Sequence, residues 1–139
     1  MEKHQGQCAC GEIHYHFTGE PIDSAFCYCT DCQKHSGTDK FFGLWVTYDQ
    51  LVIDQGKPAS YTRIGDGDHE VTHHFCSTCG TNLFINVHVA NIYSVAAGTL
   101  DNHESFKPNH LIYTASATKW AVFPEGVEKH AQLPPMYTQ

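Results

Sequence analysis

The chain has 139 residues, 41% hydrophobic and 17% charged, the balance of one globular domain able to bury a core without disulfide staples. Its formal net charge is -7, from 15 acidic against 8 basic side chains, which argues against nucleic acid or an anionic membrane as partner. No apolar run approaches the ~20 residues of a membrane span, and residues 1–7 lack the apolar segment of a signal peptide. The expected compartment is therefore a reducing cytoplasm, where thiols stay free or bind metal.

In chain order, the first motif is Cys8-Ala9-Cys10-Gly11. Ile13, Tyr15 and Phe17 then alternate with polar residues, the period of a half-buried strand that Gly19-Glu20-Pro21 ends. Cys27, Cys29 and Cys32 follow, three thiols within six positions, too dense for core packing and spaced like a metal knuckle. Thr30-Asp31-Cys32-Gln33 has the form of a helix capping box, and Gly37 closes that helix after about two turns in the left-handed position. Cys32 would then lie near the helix N-terminus, where a thiolate is favoured.

Residues 41–48 and 51–53 read as strands, 54–58 as a turn, and 60–64 as a strand pairing back. A tight turn at 65–68 leads through 69–75 into Cys76-Ser77-Thr78-Cys79-Gly80, a knuckle whose glycine lets the backbone fold around a metal. Residues 83–87, 92–97 and 111–113 are further strands, 119–123 another apolar piece, and from Gln132 the chain reads as a tail over the surface. Many short strands with hardly any helix predict a mainly β, single domain over 1–139.

All seven cysteines fall in these motifs, an odd count that suits metal better than disulfide pairing. Cys8, Cys10, Cys76 and Cys79 are the natural closed set for a structural zinc tying distant strands together. Cys27, Cys29 and Cys32 leave a second zinc one ligand short, open to water, substrate or another side chain. His35, His73 or His74 closing that site would make it structural instead, and a third version leaves it empty or partly loaded. A redox thiol pair is disfavoured by the absence of a βαβ context.

Together with residues 6–11, 27–37 and 75–80, the later Gly98-Thr99-Leu100-Asp101, Lys107-Pro108-Asn109-His110-Leu111 and Trp120 resemble the glutathione-dependent formaldehyde-activating enzyme family, which includes centromere protein V. The resemblance covers roughly residues 6–125 and so implies, for this single zinc-binding domain, a core at 6–125 and a C-terminal tail at 126–139. It implies a β-tent of coiled antiparallel sheets with two zinc ions per chain, on the same two cysteine sets. It also implies carbon–sulfur lyase chemistry on a thiol–aldehyde adduct such as S-hydroxymethylglutathione, with glutathione and formaldehyde as the small thiol and aldehyde. Two positions depart from the family: Tyr28 stands where many members have His, and Gln33 where they commonly have Arg, which removes a cation useful for an anionic tripeptide. Lys34, His35, His73 and His74 are the candidates for proton transfer. The competing class is a non-catalytic zinc module that binds a protein partner; a nucleic-acid adaptor fits the acidic balance least.

Overall fold

The computed structural model describes residues 1–135. Alternation in the first hairpin sets up a small sheet: Tyr15 and Phe17 of β2 (His14–Thr18) are buried, while His14, His16 and Thr18 face outward. β1 (Lys3–Gln7) and β5 (Leu51–Gln55) flank β2 antiparallel, in the order β1-β2-β5. On the outer face His16 Nδ1 pairs with Asp54 at 2.7 Å.

The second sheet runs β11-β10-β3-β4-β9-β8-β7-β6. Its strands are β3 (Asp23–Cys27), β4 (Phe41–Thr47), β6 (Ala59–Ile64), β7 (Glu70–Phe75), β8 (Asn82–Val87), β9 (Ile92–Ala96), β10 (His110–Ile112) and β11 (Glu128–Lys129). Neighbours are antiparallel except for β10, which lies parallel to both β3 and β11. Among the described residues the only α-helix is α1 (Thr30–Ser36), which links β3 to β4. The mainly β expectation is met.

The main core lies between the sheets: Ile13, just before β2, and Tyr15 and Phe17 of β2 meet Leu44, Val46, Leu83 and Val95 from the large sheet. Fully burying such side chains contributes about 1.5–3 kcal/mol each. Gly6 of β1 permits the close approach, because a Cβ there would lie 2.5 Å from the Tyr15 ring.

Two sequence expectations are corrected. Residues 60–64 do not pair back on 51–53; β6 pairs with β7 around the turn at Asp66–Asp68, and β5 belongs to the other sheet. The apolar piece at 119–123 lies outside the strands, with Trp120 and Val122 exposed. The chain from Gln132 does not simply trail over the surface: Gln132 O accepts from Tyr113 N–H, Leu133 packs beside Ile112, and Pro134 is buried. The end of that expected tail, 136–139, lies outside the described residues. Among the described residues no helix is long and apolar enough to cross a membrane.

Candidate metal centres

Two tight turns carry the first cluster. In one, Gly11 N–H donates to Cys8 O and Cys8 N–H to Ile13 O; in the other, Gly80 N–H donates to Cys76 O and Cys76 N–H to Thr81 O. Both glycines adopt positive φ, 79° and 78°, which other residues reach only with strain. The two turns bring Cys8, Cys10, Cys76 and Cys79 together, all four Sγ within 4.8 Å of one another. Cys10 Sγ lies 3.6 Å from Cys8 Sγ and 3.8 Å from Cys76 Sγ. Thiolates ~2.3 Å from a zinc ion form a tetrahedron with edges of about 3.8 Å, so these residues fit a closed four-sulfur metal site. One pair belongs to the β1–β2 hairpin and the other to the β7–β8 hairpin, so the cluster joins the two sheets.

The second cluster is local. Cys27 ends β3, Cys29 caps α1, and Cys32 lies in the first turn of that helix. Their Sγ atoms also lie within 4.8 Å of one another, and no further His, Cys, Asp or Glu among the described residues completes the group. Cys27 and Cys29 are half-buried and Cys32 is buried, so the cluster opens toward solvent on one side. This donor set fits a metal held by three thiolates with one position left over.

The helix start differs from the expected capping box. The cap is Cys29, whose Sγ accepts the Cys32 N–H at 3.2 Å, and Thr30 is the first helical residue. Gln33 instead ties the helix to neighbouring chain, its Nε2 donating to Tyr28 O at 2.7 Å and Ser116 O at 3.1 Å. Gly37 ends the helix in the left-handed region, as expected, with its N–H on Gln33 O. Within this hydrogen-bonded trio Cys27 and Cys32 lower the pKa of Cys29, while Cys27 and Cys29 raise that of Cys32.

Around this cluster the structure adds a residue that sequence reading missed. Arg63 of β6 pairs with Asp31 of α1 at 3.1 Å, and its Nε donates to His73 Nε2 at 3.0 Å. A guanidinium only donates, so His73 carries its proton on Nδ1 and is neutral. Burial, then the charge on His35 and Arg63, holds His73 down to about 4. His35 stacks on His73 with ring centroids 3.6 Å apart, and burial followed by Arg63 holds it below the ordinary imidazole range. Tyr113 closes this side: it adopts φ 54°, rare for an aromatic residue, and burial, then Asp66 near its hydroxyl, raises its pKa.

The remaining candidates separate. His74 faces the opposite side of β7, stacked on Phe84 at 4.7 Å, and Lys34 is exposed. Tyr28, alternating with Cys27 and Cys29, turns into the core, fully buried against Phe123. A cavity of about 370 Å³ lies beside α1, lined by His35, Lys40, Phe41, Thr81 and Asn82 among others, but by none of Cys27, Cys29 or Cys32. The chemistry-bearing groups and this cavity therefore share only His35.

The model of the glutathione-dependent formaldehyde-activating enzyme family matches residues 3–116. Among solved structures, the crystal structure of a Rhodobacter sphaeroides protein, a structural-genomics target, is similar with a TM-score of 0.57 and 21% identity. That likeness covers 70% of this chain and 88% of the other, and at this identity it speaks for the fold. No functionally curated protein matches the sequence at a significant level.

Proposed function

The chain belongs to the glutathione-dependent formaldehyde-activating enzyme family, and on that premise we propose that it makes or breaks the carbon–sulfur bond of a thiol–aldehyde adduct such as S-hydroxymethylglutathione. The observation that carries this reading is the half-buried three-cysteine group with no fourth protein ligand, set beside Arg63. Cys8, Cys10, Cys76 and Cys79 would hold a structural zinc and Cys27, Cys29 and Cys32 a second, giving two per chain. When bound at the second set, zinc supplies positive charge that favours a substrate thiolate.

The chain's own residues do the rest. Arg63 is held in place by Asp31 and His73 and keeps N–H donors for a carboxylate of the tripeptide. This supplies the cation that Gln33 does not. His73, with Nε2 already engaged by Arg63, positions that guanidinium and offers a flat face to His35. His35 is neutral near pH 7 and is the proton acceptor. In the direction of cleavage it takes the adduct's hydroxyl proton, the carbonyl forms, and the carbon–sulfur pair leaves with sulfur as thiolate. In the reverse direction the thiolate attacks the aldehyde carbon and protonated His35 returns the proton.

The reading places the chain as one zinc-binding domain of β-tent type in a reducing cytoplasm. Its test is the rate of hemithioacetal formation from glutathione and formaldehyde with zinc-replete protein. Acceleration is expected, with Cys29→Ser lowering it by about 100-fold or more. A zinc-replete protein that leaves the rate unchanged, or a fully active Cys29→Ser variant, would move the assignment to a non-catalytic binding module.

A further inference from the structure

A third group of ligating side chains, none of them a cysteine, sits on the β3-β10-β11 edge of the large sheet: His110, Glu128 and His130. We infer that these three residues form a further binding site for a divalent first-row transition ion, with Asp23 as the carboxylate that orients His110.

The argument starts at Asp23. It is buried, and its Oδ1 accepts from Ser24 N–H at 2.9 Å and Asn109 Nδ2 at 3.0 Å. Its Oδ2 lies 3.1 Å from His110 Nε2. The carboxylate oxygen facing Nε2 accepts the imidazole N–H there, which leaves a lone pair on Nδ1. Yet His110 is only 8% exposed and its Nδ1 has no hydrogen-bond partner. Leaving such a nitrogen unmet in the interior is unfavourable.

His130 repeats the pattern. Its backbone is fixed on both sides, the N–H donating to Leu111 O and the carbonyl accepting from the Thr114 N–H and hydroxyl. Its Nε2 is also buried without a hydrogen-bond partner. The two rings lie 5.4 Å apart between centroids. Glu128 stands opposite His110 in the parallel register, with Oε1 3.7 Å from His130 Nε2. One ligand atom from each residue thus falls within 4.8 Å of the other two.

Two imidazoles and one carboxylate are the donor set of zinc and its first-row neighbours. A carboxylate behind the imidazole is the arrangement that fixes tautomer and ring orientation at such sites. An ion here would satisfy both unmet nitrogens at once. It would also fasten β11, a strand of only two residues, to the sheet edge. A trapped water is the competing occupant, and a metal titration separates the two.

The experiment uses the full chain with its cysteines loaded with zinc, titrated with Co²⁺ alone and followed by calorimetry and visible absorption. One further equivalent per chain is expected, without the sulfur-to-cobalt charge-transfer band that thiolate ligation gives. His130→Gln and Glu128→Gln should each weaken it by about 10-fold or more, and Asp23→Asn by about 10–100-fold. Glu128 is exposed, so its variant keeps the fold even if Asp23→Asn does not. Three results would overturn the site: no added equivalent at millimolar Co²⁺, a charge-transfer band, or equal uptake by the His130 and Glu128 variants.

Discussion

The two cysteine clusters offer the same ligand atom and differ in where the ligands come from. Cys8, Cys10, Cys76 and Cys79 reach one point from two hairpins in two sheets, so closing that site closes a loop of more than sixty residues. Cys27, Cys29 and Cys32 come from one strand end and the helix turn after it. Occupying that second group fixes little chain that β3 and α1 do not already fix. On the proposed function, the cluster that spans the fold serves stability, and the cluster confined to one turn exchanges its fourth ligand.

The largest expected effect follows from that contrast. Apparent binding free energies of structural zinc sites, about 10–16 kcal/mol, match or exceed the whole stability of a typical domain, about 5–15 kcal/mol. Cys76→Ser should therefore abolish the cooperative thermal transition followed by circular dichroism. Cys29→Ser should keep it, because serine is itself a good N-cap for α1, and should lose activity instead. Equal damage to the fold from both substitutions would erase the distinction.

Arg63→Gln sharpens the functional side. Removing a charged donor to a carboxylate costs about 1.5–3 kcal/mol, so KM for glutathione should rise about tenfold or more, with kcat changed less. The melting temperature should also fall, because the buried His73 Nε2 loses its donor. An unchanged KM would take Arg63 out of substrate binding.

His73 gives a smaller, pH-dependent effect. Its folded pKa of about 4 lies below the ordinary 6.5, so between these values the unfolded chain binds more protons. Stability from this group is then present above pH 6.5, falls as pH drops toward 4, and levels off below that. The difference in urea stability between the parent and His73→Gln should shrink across that window, by at most about 3 kcal/mol. A pH-independent difference would mean the ring is not held neutral by its surroundings.

The smallest effect belongs to Tyr28→Phe. The hydroxyl is buried without a partner, so its loss should leave activity unchanged and raise stability by up to about 1 kcal/mol. A marked loss of activity would show that this residue reaches the site after all.

What could be read from sequence was local. The knuckles, their glycines and the Gly37 helix stop are all set by spacing over a few residues. The inward turn of Tyr28 was also within reach, since Cys27 and Cys29 alternate with it on an extended segment. Arg63 was not found because its place depends on register: only when Ala59–Ile64 pairs with Glu70–Phe75 does Arg63 fall on the face of His73, diagonal to it. Reading the turn at 65–69 as a hairpin, rather than returning 60–64 to 51–53, would have given that face. The segment 126–135 escaped for a different reason. Its order comes from backbone hydrogen bonds to β10 and the chain after it, and two strand residues carry no side-chain period to read. His110 and His130 likewise meet only through that pairing.

The most direct test of the difference between the clusters is cadmium NMR on protein loaded with ¹¹³Cd, recorded before and after addition of glutathione. The account predicts one thiolate resonance from Cys8, Cys10, Cys76 and Cys79 that glutathione leaves in place. It predicts a second from Cys27, Cys29 and Cys32 that glutathione moves and that Cys29→Ser removes. Two resonances that both ignore glutathione, or a four-cysteine resonance that responds while the other does not, would contradict it.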